Sequence, residues 1–204
     1  MAKQYDRDYF DRWYRDPRSR VTESAELRRR AAAAVAAAEI VLGRELESVL
    51  DVGCGEGRWL VPLRAMRPDV DYVGLDPSDY AVERYGRTRH IRKGSFGDLD
   101  ALRGKAFDLV VCADVLHYLE PREIDRGLEV LPSLVAGVAL LDVTTREDAP
   151  EGDLDGWISR PARWYADRFR EAGLVPCGLM CWMPRAAVDR LTSIERAVVE
   201  GTPD

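Results

Sequence analysis

Cysteine is scarce in this 204-residue chain: Cys54, Cys112, Cys177 and Cys181 are all there is, with no C-x-x-C pair among them. That excludes a disulfide scaffold. With only two histidines, His90 and His117, it also argues against a zinc site of the usual spacing. Lysine is scarcer still. Lys3, Lys93 and Lys105 stand among 30 basic residues, the rest being arginine, and the chain is rich in alanine, a composition expected of a high-GC bacterial genome. The 36 acidic residues leave a net charge of −6, which disfavours non-specific binding to nucleic acid. No long hydrophobic run is present. The most apolar stretch, Ala31 to Gly43, carries Glu39 and is too short and too weakly apolar to span a bilayer. MAKQYDRDYF at the start lacks the apolar segment of a secretory signal. The expected location is the cytoplasm, with neither a membrane nor a nucleic acid as partner.

What is present is a balance of 46% hydrophobic and 32% charged residues at a length that suits one domain with some extra. Tyr5, Tyr9 and Trp13 recur at i, i+4, i+8 with Phe10 and Tyr14 beside them, an aromatic stripe on a short helix that Pro17 ends. Thr22 is placed to cap a second helix whose buried face is Leu27, Ala31, Ala34, Val35, Ala38, Val41 and Leu42, and Gly43 ends it. From Ser48 onward strands alternate with helices. Strands are expected at 48–52, 71–76, 90–93, 107–112, 135–143 and 174–182. Helices are expected at 58–66, 78–85, 121–131, 161–172 and 185–200, with Pro62 expected to bend the first of these. This alternation predicts an α/β fold, a doubly wound, mostly parallel sheet with helices on both faces. Such sheets bind ligands at the carboxyl ends of their strands, where strand order reverses.

The first of these strands runs into Asp51-Val52-Gly53-Cys54-Gly55-Glu56-Gly57. Three glycines at alternate positions admit either a tight turn or a ligand lying against bare backbone. A dinucleotide fingerprint needs glycine where Arg58 stands, and no Gly-Lys-Ser/Thr exists for a P-loop. Asp76 ends the second strand 19 residues past Gly57, placed either to accept from a ribose diol or to cap the next helix.

VLDVGCGEG at 49–57 resembles the first motif of class I S-adenosylmethionine-dependent methyltransferases, and FDLVVCADVLHYL at 107–119 resembles their strand-four motif. The likeness implies a Rossmann-like sheet over 45–204, preceded by a helical extension or lid over 1–44, with S-adenosyl-L-methionine as cofactor. It also implies Asp51, Gly53, Cys54, Gly55 and Gly57 against the methionine part, and Asp76 with Pro77 at the ribose. Ser95, Phe96 or Asp98 is then expected at the adenine, and Ala113 and Asp114 complete the cofactor set. Two departures stand out. Leu131-Pro132-Ser133-Leu134 replaces the usual Pro-Gly-Gly turn, and Met180–Pro184 reads as helix, so the family's seventh strand is expected to be missing or very short.

Methyl transfer depends on orientation and desolvation, with a base helping when the acceptor is a hydroxyl or an ammonium. The candidates are His117, Tyr118, Asp114, Asp142 and Tyr165. His117 has the intrinsic pKa for the task, the alternative being a structural role. The aromatic stripe at the N-terminus is either a staple or a roof over the acceptor, and Arg12, Arg15, Arg18 and Arg20 around it are expected to be solvated charges. The expected activity is methyl transfer to an O or N atom of a small molecule by a monomer or homodimer, without metal. The alternatives are a protein methyltransferase and a non-catalytic cofactor-binding protein on the same fold.

Overall fold

The computed structural model describes residues 5–16, 24–148 and 153–200. Pro17, Arg18, Arg20 and the Thr22 cap lie outside them. The elements run α1 (Arg7–Phe10), continued by a π-helical turn over Asp11–Arg15, α2 (Ser24–Leu42), β1 (Ser48–Val52), α3 (Leu60–Met66), β2 (Asp71–Asp76), α4 (Asp79–Arg89) and β3 (Ile91–Lys93). Then follow β4 (Phe107–Ala113), α5 (Pro121–Leu134), β5 (Val135–Asp142), α6 (Ala162–Glu171), β6 (Leu174–Gly178), β7 (Cys181–Pro184) and α7 (Ser193–Glu200). The sheet order is β3-β2-β1-β4-β5-β7-β6, with β1 to β5 parallel and β7 antiparallel to both neighbours.

The central strands are apolar at nearly every position because helices cover both faces. Alternate side chains divide between two cores. Val49, Leu109, Val111, Val138 and Leu140 meet α2 through Ala31, Ala34, Val35, Ala38 and Val41. Leu50, Val110, Cys112, Ala139 and Leu141 meet α5 and α6 through Ile124, Leu128, Leu131, Tyr165 and Phe169. The buried face predicted for the second helix is therefore the one that packs, with Leu27 and Leu42 at its margins. Pro62 falls in the first turn of α3, where its missing N–H breaks no helical bond.

Three expectations are corrected at the boundaries. The helix expected to end at Tyr85 continues through Gly86 to Arg89, and His90 closes it in the left-handed region at φ 56°. The segment 174–182 is not one strand. It turns at Leu179 and Met180, both with positive φ, and returns as β7, so Met180–Pro184 is not helical and the seventh strand is present but four residues long. Its pairing decides the matter: Trp182 sits opposite Ala139 and Cys181 opposite Leu140. This alternation buries Cys181 and Met183 in one core and sets Trp182 edge-on to Phe169, 5.0 Å away, beside the other. The last helix is also broken, into a 3-10 turn at Arg185–Arg190 and α7. A reciprocal cap restarts it, with the Thr192 N–H donating to Glu195 and the Glu195 N–H donating to the Thr192 hydroxyl.

One buried carboxylate anchors the start of β1 to β4. Asp108 accepts from both nitrogens of the Arg44 fork at 3.0 and 2.7 Å, and from the N–H groups of Glu47 and Ser48 at 2.8 and 3.2 Å. Burial alone would raise its pKa, but the Arg44 guanidinium and these N–H groups outweigh it and hold the carboxyl below its usual range. Its stabilising contribution is then complete above the unfolded-state pKa and is lost as pH falls through the depressed folded value. Asp108→Ala should cost about 2–3 kcal/mol of unfolding free energy near neutrality, discounted for the half-exposed arginine. Urea denaturation checks this, and the gap from wild type should close in acid.

Candidate active site

The carboxyl ends of β1, β2, β4 and β5 surround a cavity of about 560 Å³. Its floor is the glycine loop. Gly53 and Gly55 both have positive φ, 72° and 54°, where a side chain is strained. They are also crowded: a Cβ on Gly53 would lie 2.2 Å from the Val115 side chain, and one on Gly55 would lie 2.5 Å from the Tyr14 hydroxyl. The Gly55 N–H donates to Asp76 Oδ2 at 2.7 Å, and the Ser78 N–H donates to Asp76 Oδ1 at 2.8 Å. Asp76 therefore does not cap α4. Ser78 does so, accepting from the Ala81 N–H.

Asp51 lies under the same loop, buried, and accepts from the Tyr72 hydroxyl at 2.6 Å. Burial raises its pKa to about 7, the Tyr72 hydroxyl opposes the rise, and the nearby Asp76 adds to it. Burial likewise raises Asp76, against the two N–H donors that lower it. Two carboxylates held this way at one end of a cavity favour a cationic ligand.

Residues 5–16 form the roof. Asp6 caps α1 by accepting from the Tyr9 N–H. The π turn after Phe10 departs from a plain i+4 stripe, and the buried residue is Phe10, stacked on Tyr80 at 5.6 Å and edge-on to Tyr14 at 5.0 Å. Tyr5, Tyr9, Trp13 and Tyr14 line the cavity as well. Burial lifts the Tyr5 phenol to about 12, and raises Tyr9 and Tyr14 further, so all three stay neutral. Two polar ties hold the roof down. The Ser78 hydroxyl donates to the Tyr5 carbonyl at 2.5 Å, and Arg15 pairs at 2.5 Å with Glu56 of the glycine loop. Arg15 is thus a latch where a solvated charge was expected. Arg12 lies over the Trp13 ring at 4.8 Å.

Of the residues expected at the cofactor, Asp51, Gly53, Cys54, Gly55, Asp76, Pro77, Ser95, Phe96, Ala113 and Asp114 line the cavity. Gly57 and Asp98 do not. A Cβ on Gly57 would point at Arg89, Ile91 and Tyr72, behind the loop. Asp98 turns back to cap its own 3-10 turn, accepting from the N–H and hydroxyl of Ser95. The same hydroxyl lies 3.0 Å from Glu123, an acid on the cavity wall that no motif indicated, and its one hydrogen is shared between the two carboxylates. Arg30, Arg58, Thr144, Asp153 and Trp157 were missed as well, since helix α2 and the stretch after β5 carry no recognisable pattern.

The base candidates separate. Asp142 is buried and ion-paired to Arg30, and Tyr165 hydrogen-bonds Arg160 at 3.2 Å, away from the cavity lining. His117, Tyr118 and Asp114 do line it. His117 is buried, and its Nδ1 accepts from the Thr144 N–H at 3.3 Å. The neutral ring therefore carries its proton on Nε2 and offers a donor, not a lone pair, at that nitrogen. No helix among the described residues is long and apolar enough to cross a membrane.

The family model described as "Methyltransferase domain" matches residues 50–137, which hold the glycine loop and the strand-four motif. Three solved structures illustrate the fold. A SAM-dependent methyltransferase from Archaeoglobus fulgidus aligns with TM-score 0.61 at 13% identity, covering 81% of this chain and 72% of that one. SAM-bound CalS10 of Micromonospora echinaspora, an amino pentose methyltransferase, aligns at 0.60 and 18%, covering 81% and 92%. An O-methyltransferase family protein from Burkholderia thailandensis aligns at 0.52 and 19%, covering 78% of this chain, which spans 55% of that protein's length. No curated protein matches the sequence. Residues 50–137 thus match a methyltransferase domain, on a fold shared with these solved methyltransferases, and S-adenosylmethionine is the cofactor that motif and fold support.

The donor set fits that cofactor. Gly53 and Gly55 line the cavity with no side chain of their own, the Asp51 carboxylate suits a cationic group, and each Asp76 oxygen keeps lone pairs for a diol. Asp51 must be ionised to meet a cation, so affinity for S-adenosylmethionine should rise from about pH 6 to about pH 8 as the carboxyl loses its proton. Calorimetry across that range checks it, and Asp51→Asn should flatten the profile.

Proposed function

We propose that this protein transfers a methyl group from S-adenosylmethionine to an O or N atom of a small molecule. The observation that carries the reading is the roof. A cavity of about 560 Å³ closed over by residues 5–16 is the size of a small-molecule site, and it must hold the cofactor as well. A protein side chain presented on a folded surface would have to displace Tyr5, Tyr9 and Trp13, and this counts against the protein-methyltransferase alternative. Among the neighbours one is an amino pentose methyltransferase and another is of an O-methyltransferase family.

When bound, S-adenosylmethionine supplies a methyl group already activated on a sulfonium sulfur. The chain's own residues hold and shield. Asp51, Gly53, Cys54 and Gly55 would take the methionine end, Asp76 with Pro77 the ribose, and Ser95 with Phe96 the adenine. The roof excludes water and confines the acceptor, which is what an in-line displacement requires. His117, fixed by Thr144, serves as a donor that orients the acceptor. Residues 5–16 act as a lid and are separable from the cores, because neither core cluster contains any of them.

Two measurements test this. Asp76→Ala should weaken S-adenosylmethionine binding by about 2–3 kcal/mol in calorimetry, the scale of charged hydrogen bonds. A chain lacking residues 1–20 should fold and bind cofactor yet release little S-adenosylhomocysteine when offered a panel of small amines and alcohols. Full turnover by the truncated chain would sink the lid.

A further inference from the structure

The strand order reverses between β1 and β4, and the glycine loop, Asp76 and Ser95–Phe96 all lie on the β1–β3 side of that reversal. The part of the cavity over β4 and β5 is left for the acceptor. Arg30, Asp114, Tyr118, Thr144 and Trp157 line it there.

The charges at this end are unbalanced. Arg30 is the cation, and it is already engaged twice, with Asp142 at the end of β5 and with Glu26 one helical turn away at 2.7 Å. Asp114 is a third carboxylate in the same field, and Asp142, Arg30 and Glu26 are the charged groups that act on it. Its side chain is bared to the cavity, and among the described residues it has no hydrogen-bond or ion-pair partner. Its backbone is held at φ 58° by its N–H donating to the Asp142 carbonyl at 3.1 Å. Burial and then the Asp142 charge raise its pKa to about 6, which leaves it ionised at neutral pH.

Resting on the methyltransferase reading, we infer that the acceptor carries an amine, bound as its ammonium ion by Asp114 in the aromatic-lined end of the cavity. An anionic acceptor would meet the Asp114 carboxylate and an arginine already paired with Asp142 and Glu26. A neutral hydroxyl can donate one hydrogen bond to Asp114 but brings no charge to offset the desolvation of the carboxylate. An ammonium ion satisfies the carboxylate, and Tyr118 and Trp157 offer it π faces. His117 fits this assignment. With its Nδ1 taken by Thr144 it is poorly placed to strip a proton from a hydroxyl.

Three isosteric probes test the inference: benzylamine, benzyl alcohol and benzoate, titrated calorimetrically into protein saturated with S-adenosylhomocysteine. Benzylamine should bind about tenfold or more tightly than either of the others. Asp114→Asn should abolish that preference when it too is titrated at saturating S-adenosylhomocysteine. Asparagine tolerates the left-handed backbone, so this variant keeps its fold. Asp114→Glu, which keeps the charge, should keep the preference. The inference is overturned if benzoate or benzyl alcohol binds as well as benzylamine, if none of the three binds, or if the preference survives Asp114→Asn. A protein that prefers benzylamine but does not bind S-adenosylhomocysteine would refute the methyltransferase reading and leave Asp114 as an ammonium site.

Discussion

The hydrogen bond from the Gly55 N–H to the Asp76 carboxylate joins the turn after β1 to the end of β2, and the site is arranged around it. It requires the Gly53–Gly55 backbone to run through the left-handed region and to pass within contact distance of Val115 and Tyr14. A side chain at either glycine would displace a neighbour that itself walls the cavity. The loop is therefore both the floor of the site and a packing constraint on its roof. Substitutions there alter ligand contact and lid position together.

Electrostatics divides the cavity along the reversal in strand order. Under the glycine loop, Asp51 and Asp76 are carboxylates whose burial is offset by a hydroxyl and by backbone N–H donors. Over β4 and β5, Arg30 is shared between Asp142 and Glu26, and Asp114 faces the cavity without such a partner among the described residues. A carboxylate facing a cavity without a partner is costly to desolvate unless the ligand completes it. The roof adds aromatic surface with phenols that burial keeps neutral, so it contributes contact area and hydrogen bonding but no charge.

Arg15 connects these parts in an unexpected way. Its guanidinium reaches from the last turn of the roof to Glu56, whose carbonyl accepts from Arg89 of α4. Glu56 stands between Gly55 and Gly57, and its side chain meets the lid instead of lining the cavity. A surface arginine is ordinarily worth little in stability. Here its partner is buried, and the pair is one of two polar ties between the roof and the body of the site.

The sequence alone determined the alternation of strands and helices, the extents of β1 and β2, the buried face of α2, and the cofactor class. Each depends on short-range signals: apolar runs, helical periodicity, and glycines with Asp51 and Asp76 at fixed spacing. The tertiary structure decided the rest. β7 is a strand because pairing with β5 and β6 buries Cys181 and Met183, although Leu179-Met180 is no turn pair by composition. Asp98 is a cap and Glu123 a wall residue because α5 crosses the turn at 96–102. His117 presents a donor only because the Thr144 N–H, 27 positions along, reaches its Nδ1. Arg30 and Asp142 are 112 positions apart and meet only when α2 lies across the sheet. Such pairings are set by how elements stack, and local spacing carries no record of them.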